Sequence, residues 1–373
     1  MPTPRRHKLA IIIGTRPEAI KLAPVVLEAE RSGRFDVQVI LTSQHREMLD
    51  QMVDLFGLEI ETDLDIMKPD QSLADVTTAA LGQLHETLER LQPDMVVVQG
   101  DTTTTFTGAL AAFYLQIPVA HVEAGLRTYD RLQPFPEEIN RCLTSQLADL
   151  HFAPTSQSRE NLLKEGILDS DIWVTGNTAI DALFYTRDKL GGEVPPSDQQ
   201  RTVLLTAHRR ENHGVGMEHI CDAVLELVER YDDLRVVYPV HLSPRVRATV
   251  FGRLGDHPRV ELLEPLGYPE FVVAMSTATL ILTDSGGVQE EAPSLGKPVL
   301  ILREVTERPE AMAAGVALAV GTDQERIVTE VSRLLDDEEH FRRMSEAMNP
   351  YGDGNAAGRI VDAIAARLSD SAS

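Results

Sequence analysis

At 373 residues the chain exceeds what one hydrophobic core ordinarily serves, so two α/β domains are the first expectation. Its 43% hydrophobic and 25% charged residues are those of a globular protein, and 58 acidic against 35 basic side chains exclude a duplex nucleic-acid partner, which needs a basic face. Cys142 and Cys221 lack metal-type spacing and read as free thiols of a cytoplasmic protein, and the apolar run 9–13 is too short for a signal core or a membrane span, so no membrane association is expected.

Short apolar runs at 9–13, 37–41, 95–98, 118–122, 151–153 and 172–174 predict strands, with helical patterns between them such as 72–91 and 137–150. Unbroken Val/Ile/Leu runs separated by helices describe a parallel sheet covered on both faces. After Leu190 the segment GGEVPPSDQQ loses periodicity, as a linker would. Strands are predicted again at 203–206, 236–238, 260–263, 280–282 and 299–302. The predicted architecture is therefore two Rossmann-like, doubly wound parallel-sheet domains facing a cleft, over residues 1–190 and 200–355. The tail SDSAS is expected to be disordered.

Open parallel sheets bind ligands outside the carboxyl ends of their strands, and those ends are rich in polar residues here. Arg16 and Lys21 follow the first run, Asp101 the third, and Glu123, Arg127, Glu137 and Arg141 the fourth. In the second half His208, Arg209, Arg210 and His241 follow their runs, then Ser285, Gly286, Gly287 and Glu291 in TDSGGVQEE, then Arg303 and Arg308. So many cations in so acidic a chain read as an anion site. Two glycines opening a helix let backbone N–H groups approach a phosphate, with Ser285 as N-cap or phosphate donor and Glu291 suited to a pair of sugar hydroxyls. Asp101, Glu123 and Glu137 are either acid–base groups or ion-pair partners of Arg127 and Arg141. A metal pair of His208 and His213 is disfavoured by the arginines between them. The TTTT run after Asp101 reads as a helix start. No G-x-G-x-x-G follows the first strand, no P-loop motif occurs, and HGVGMEH lacks the third glycine, so no dinucleotide cofactor and no metal are expected.

GTRPEAIKLAPV, TSQHREMLDQM, GDTTTTFTGALAAFY, HVEAGLRTYD, PEEINR, TAHRREN, VYPVHLSP, TDSGGVQEEAPSLGKPVL, TERPEA and NPYGDGNA together make the chain resemble, from end to end, the non-hydrolysing UDP-N-acetylglucosamine 2-epimerases. That resemblance implies the GT-B arrangement, a homodimer, and a last helix at 356–370 returning to the first domain. It implies UDP held mainly by the second domain, with the pyrophosphate on Arg16, Ser285, Gly286 and Gly287 and the ribose on Glu291. The uracil would lie near Phe271 and the backbone at Leu266, and Arg308 and Lys21 would complete the contacts to this UDP-sugar substrate. Asp101, Glu123, Glu137 and His208 match residues assigned to catalysis. Some bacterial members hold a regulatory UDP-N-acetylglucosamine on residues matching Gln44, His45, Gln71, Arg209 and His241. Asp70 stands here where those members carry an arginine, which disfavours that regulation. The family's product feeds bacterial surface polysaccharides.

Inverting carbon 2 of an N-acetyl sugar is difficult because no carbonyl acidifies its proton. Without a nicotinamide, the remaining route eliminates UDP to 2-acetamidoglucal and adds it back after protonation of the opposite face. That route needs a base, an acid and strong binding of the departing pyrophosphate. The alternatives are a glycosyltransferase of the same fold, a hydrolysing epimerase, or a binding module, the last disfavoured by three carboxylates beside an anion.

Overall fold

A computed structural model describes residues 6–42, 46–68, 70–192, 200–304, 306 and 308–370. Contacts divide the chain into two units, Met1–Ala182 with Tyr351–Ser373, and Leu183–Pro350. The first holds strands β1 (His7–Ile13), β2 (Phe35–Leu41), β3 (Ile60–Asp63), β4 (Met95–Gln99), β5 (Val119–Val122), β6 (Leu150–Ala153) and β7 (Ile172–Val174). They pair in parallel in the order β3-β2-β1-β4-β5-β6-β7. The second holds β8 (Arg201–Thr206), β9 (Leu234–Pro239), β10 (Val260–Leu263), β11 (Leu280–Thr283), β12 (Val299–Ile301) and β13 (Ala317–Ala319). These too are all parallel, in the order β10-β9-β8-β11-β12-β13.

The unbroken apolar runs become central strands because helices cover both faces. All five residues of β4 are buried, as are all four of β11. In the first unit Val96 and Val98 pack with Leu84 and Leu88 of the helix Leu73–Leu91. In the second, Val203, Leu205 and Val236 pack with Ile220 and Val224 of the helix Val215–Arg230. The edge strands β3 and β13 lie outside the predicted set. IETD carries little apolar content, ALA lies in the short apolar run 316–320, and pairing to β2 and β12 makes them strands.

Two further predicted bounds move. The helix expected to reach residue 150 ends at Leu147, because Leu150–Ala153 is fully buried in the sheet as β6. The last helix, Ala356–Asp370, continues two residues into the SDSAS tail, burying Ile360, Val361 and Ile364 within the unit that holds β1. Positions 371–373 lie outside the described residues, as do 193–199 of the predicted linker. Among the described residues no helix is long and apolar enough to cross a membrane.

The strand orders locate the ligand crevices. Order reverses between β1 and β4 in the first sheet and between β8 and β11 in the second. Loops leaving those strand pairs at their carboxyl ends diverge, opening a crevice in each sheet.

Candidate functional site

In the first unit the crevice is framed by the loops after β1 and β4. Arg16 opens the helix Arg16–Ser32, half-buried, with no ion-pair partner among the described residues. Glu18, two residues on, is buried and joins the two loops. It accepts from Gly14 N at 3.1 Å, from Thr102 Oγ1 at 2.8 Å and from Thr105 Oγ1 at 3.1 Å. Burial raises its pKa against those donors. Thr102 caps the helix Thr103–Tyr114 by accepting from Thr105 N at 3.1 Å, so the threonine run is a helix start as expected.

The three carboxylates sit in different environments. Asp101 accepts from Arg141 Nη2, and its backbone oxygen accepts from Asn140 Nδ2 at 3.0 Å. Glu123, directly after β5, accepts from Lys21 Nζ at 2.6 and 2.7 Å, from Gln99 Nε2, and from Asn177 Nδ2 at 3.2 Å. Its φ of 61° is uncommon for a residue with a side chain and costs about 1–3 kcal/mol. Gly125, two residues on, lies against the helix Ser156–Lys164, where a Cβ would stand 2.2 Å from Ser158 O. Glu137 starts the helix Glu137–Leu147, and its Oε2 is buried with no hydrogen-bond partner among the described residues. Arg127, one of the two arginines weighed as a partner for these groups, instead pairs with Glu165 at 2.6 Å.

In the second unit the crevice is organised by a residue that sequence reading passed over. Asp284, wholly buried after β11, accepts from His208 N and Arg209 N at 2.8 Å and from Asn212 Nδ2 at 3.0 Å. Its Oδ1 lies 3.1 Å from His208 Nδ1. Burial favours the neutral acid, yet the His208 ring and these N–H donors outweigh it and hold the carboxyl below its usual range. His208 also stacks on His241, ring centres 5.4 Å apart, and its backbone oxygen contacts His213 Nε2 at 3.2 Å. Arg209 is anchored through Nε to Asp284 O at 3.0 Å.

Ser285 precedes the short helix Gly286–Glu291 and makes no side-chain capping bond. Its N–H donates to Thr283 Oγ1 at 3.0 Å. At Gly287 an added Cβ would meet only Glu291 Oε1, at 3.8 Å. The protein's own packing therefore does not demand a glycine there. Arg308 donates through Nε to the buried Glu290. Leu266 and Phe271 flank the start of the helix Tyr268–Thr277, both half-buried, and Phe271 N donates to Gly267 O at 2.9 Å.

Of the positions matched to a regulatory ligand, Gln44 and His45 lie outside the described residues. Gln71 is spent on its own loop, accepting from Lys68 N at 2.7 Å and donating to Ile66 O at 3.2 Å. Asp70 adopts a φ of 59° in that loop.

Asp284, Glu18, Gln99 and Asn177 were absent from the sequence-derived set. Asp284 sits inside the DSGG segment, and only its backbone and ring partners from the loop after β8 reveal its task. Asp284→Ala is expected to lower unfolding stability by about 2–4 kcal/mol, since charge-assisted bonds from two backbone N–H groups and a buried amide are lost together. Urea denaturation measures this, and an unchanged midpoint would refute it.

A family profile described as UDP-N-acetylglucosamine 2-epimerase matches residues 27–365. The UDP-N-acetylglucosamine 2-epimerase of Bacillus subtilis is 52% identical over 364 residues, covering 96% of this chain and 95% of its own. That of Escherichia coli K12 is 51% identical over 368 residues, covering 96% and 98%. The crystal structure of the Neisseria meningitidis UDP-GlcNAc 2-epimerase bound to UDP-GlcNAc superposes with a TM-score of 0.86 at 48% identity, covering 96% and 99%. A glycotransferase of kitacinnamycin, 14% identical with a TM-score of 0.68, shares the fold alone.

Proposed function

Because the chain belongs to the UDP-N-acetylglucosamine 2-epimerase family, we propose that it interconverts UDP-N-acetylglucosamine and UDP-N-acetylmannosamine without hydrolysis, by eliminating and re-adding UDP. A base removes the carbon 2 proton while the carbon 1–oxygen bond breaks, its electron pair leaving with UDP. UDP then attacks carbon 1 of 2-acetamidoglucal as a proton is delivered to carbon 2 from the opposite face.

The observation that carries this reading is the contrast among the three carboxylates of the first unit. Binding an anion gains nothing from placing acidic groups nearby, whereas proton exchange at carbon needs them. Glu123, held by cation and amide donors, suits the charged partner, and Glu137, with a buried oxygen lacking a hydrogen-bond donor among the described residues, suits a group whose partner is the substrate. Asp101 serves as the third member of this set. Arg16, Ser285, Gly286 and Gly287 bind the pyrophosphate, Glu291 the ribose, and Phe271 with the backbone at Leu266 the uracil, while Arg308 and Lys21 complete the contacts to the UDP-sugar. His208, oriented by Asp284, stabilises the charge that develops on the departing phosphate. No nicotinamide or metal takes part, in keeping with the missing dinucleotide fingerprint. Residues 1–190 with 356–370 are taken as one domain and 200–355 as the other, although contacts assign 183–190 to the second unit and 351–355 to the first, in a cytoplasmic homodimer supplying surface polysaccharide synthesis.

Turnover of UDP-N-acetylglucosamine in D₂O, followed by NMR, tests the scheme. Deuterium at carbon 2 of UDP-N-acetylmannosamine is the expected result. Free N-acetylmannosamine would identify a hydrolysing enzyme. No change until an acceptor is supplied would identify a glycosyltransferase, and epimerised product without deuterium would remove the elimination route.

A further inference from the structure

Glu123 is not held by charge alone. An ammonium such as Lys21 Nζ is a compact charge with rotatable donors and imposes little direction on a carboxylate. Planar amides do impose one, and two reach Glu123, from Gln99 and from Asn177. Gln99 ends β4, the strand paired with β5, so its side chain arrives from next door. Asn177 arrives from farther off. It follows β7, and in the sheet β6 separates β7 from β5.

Asn177 is 3% exposed and is tied through three of its atoms. Its backbone N–H donates to Tyr351 O at 2.6 Å, where the chain re-enters the first unit. Its Oδ1 accepts from Ala179 N at 3.0 Å, at the start of the helix Thr178–Lys189. Its Nδ2 donates to Glu123 Oε1 at 3.2 Å. The first two bonds are ordinary structural work for a buried asparagine. The third directs an amide at a carboxylate whose backbone is already in an unfavourable conformation, and neither the helix start nor the return segment requires it.

We propose that Asn177 is a positioning residue for the carbon 2 chemistry, its side-chain amide setting the orientation of the Glu123 carboxylate and tying that orientation to the segment at Tyr351. The proposal rests on the reading of Glu123 as a proton-exchanging group. The return segment is held to the same place by a second set of bonds, since Asp181 accepts from Ala356 N at 3.2 Å and Ala357 N at 2.9 Å. Glu123 is thus oriented from a point that the returning chain itself braces.

Asn177→Ser and Asn177→Asp separate the roles. Both keep the backbone donor to Tyr351 and a short acceptor for Ala179 N, and both remove the amide that reaches Glu123. Misplacing a reacting group by about 1 Å can cost on the order of 100-fold in rate, so kcat is expected to fall about 10- to 100-fold. Asn177→Asp should be the slower, because it sets a second negative charge beside the first. KM for UDP-N-acetylglucosamine should stay as in the unaltered protein, and so should the urea unfolding midpoint of Asn177→Ser, whereas Asn177→Asp buries a second carboxylate and should lower its midpoint. Glu123→Gln is assayed in parallel. If it turns over normally, the reading of Glu123 fails and the proposal falls with it. If Glu123→Gln is slow while both Asn177 variants keep their kcat, or Asn177→Ser loses activity only in step with its unfolding midpoint, Asn177 is merely a helix cap and the proposal alone is overturned.

Discussion

Glu137→Gln is expected to lower turnover by about 10²–10⁴-fold while UDP binding and folding stability stay close to those of the unaltered protein. Glutamine keeps the shape of the side chain and removes only the proton-exchanging group. Glu137 is the most informative of the three carboxylates because of what surrounds it. Glu123 is only 6% exposed and paired with the half-buried Lys21, so neutralising it also weakens that ion pair. Asp101→Asn likewise weakens the bond to Arg141. Their losses of activity would mix chemistry with structure. Glu137 Oε2 has no such partner among the described residues, so its replacement disturbs little else. Single-turnover assays with calorimetric measurement of UDP affinity separate the effects. Turnover within about tenfold of the unaltered enzyme would remove Glu137 from proton transfer, since a positioned acid or base contributes more than that.

Stability should fall as the solution is acidified below about pH 6.5, and two buried histidines should account for a large part of the fall. His121 of β5 and His151 of β6 are register partners, 0% and 1% exposed. His121 Nε2 contacts Gly100 O at 2.7 Å, beside Asp101, and Nδ1 of each ring has no hydrogen-bond partner among the described residues. Burial pushes His121 down to about 3 and His151 down to about 4. Below pH 6.5 the unfolded chain therefore binds protons that the native rings refuse. The stability due to neutral burial is complete above that pH and drains away on acidification, until about pH 4 for His151 and about pH 3 for His121. At pH 5 each histidine accounts for roughly 2 kcal/mol of loss. Urea midpoints at pH 7 and pH 5 should differ markedly in the unaltered protein. His121→Gln with His151→Gln should flatten that dependence, because glutamine does not titrate and its amide can replace an Nε2 donor. Equal pH dependence in both proteins would show that these rings are not responsible.

The class of fold was legible in the sequence because its cause is local in the chain. Runs such as Met95–Gln99, apolar at nearly every position, satisfy only a strand buried on both faces. The polar residues crowded after such runs marked Arg16, Asp101, Glu123, His208 and Ser285 before any coordinates, since the carboxyl ends of parallel strands are where a ligand can reach backbone and side chains together. Two of the four edge strands escaped notice, Ile60–Asp63, which has little apolar content, and Ala317–Ala319, only three residues long, whereas the edge strands β7 and β10 were expected. What tertiary structure alone decided is the partnership of each charge. Asp101 took Arg141, but Glu123 took Lys21, 102 positions away, and Arg127 took Glu165. Asp284 met His208 across 76 positions, and Asn177 reached Glu123 across 54. A titratable side chain announces its chemistry in one letter, whereas its protonation, direction and availability depend on which donors and charges the sheet order brings within a few ångströms. No periodicity encodes that, because the strands that meet at each crevice, β1 with β4 and β8 with β11, are not neighbours in the chain.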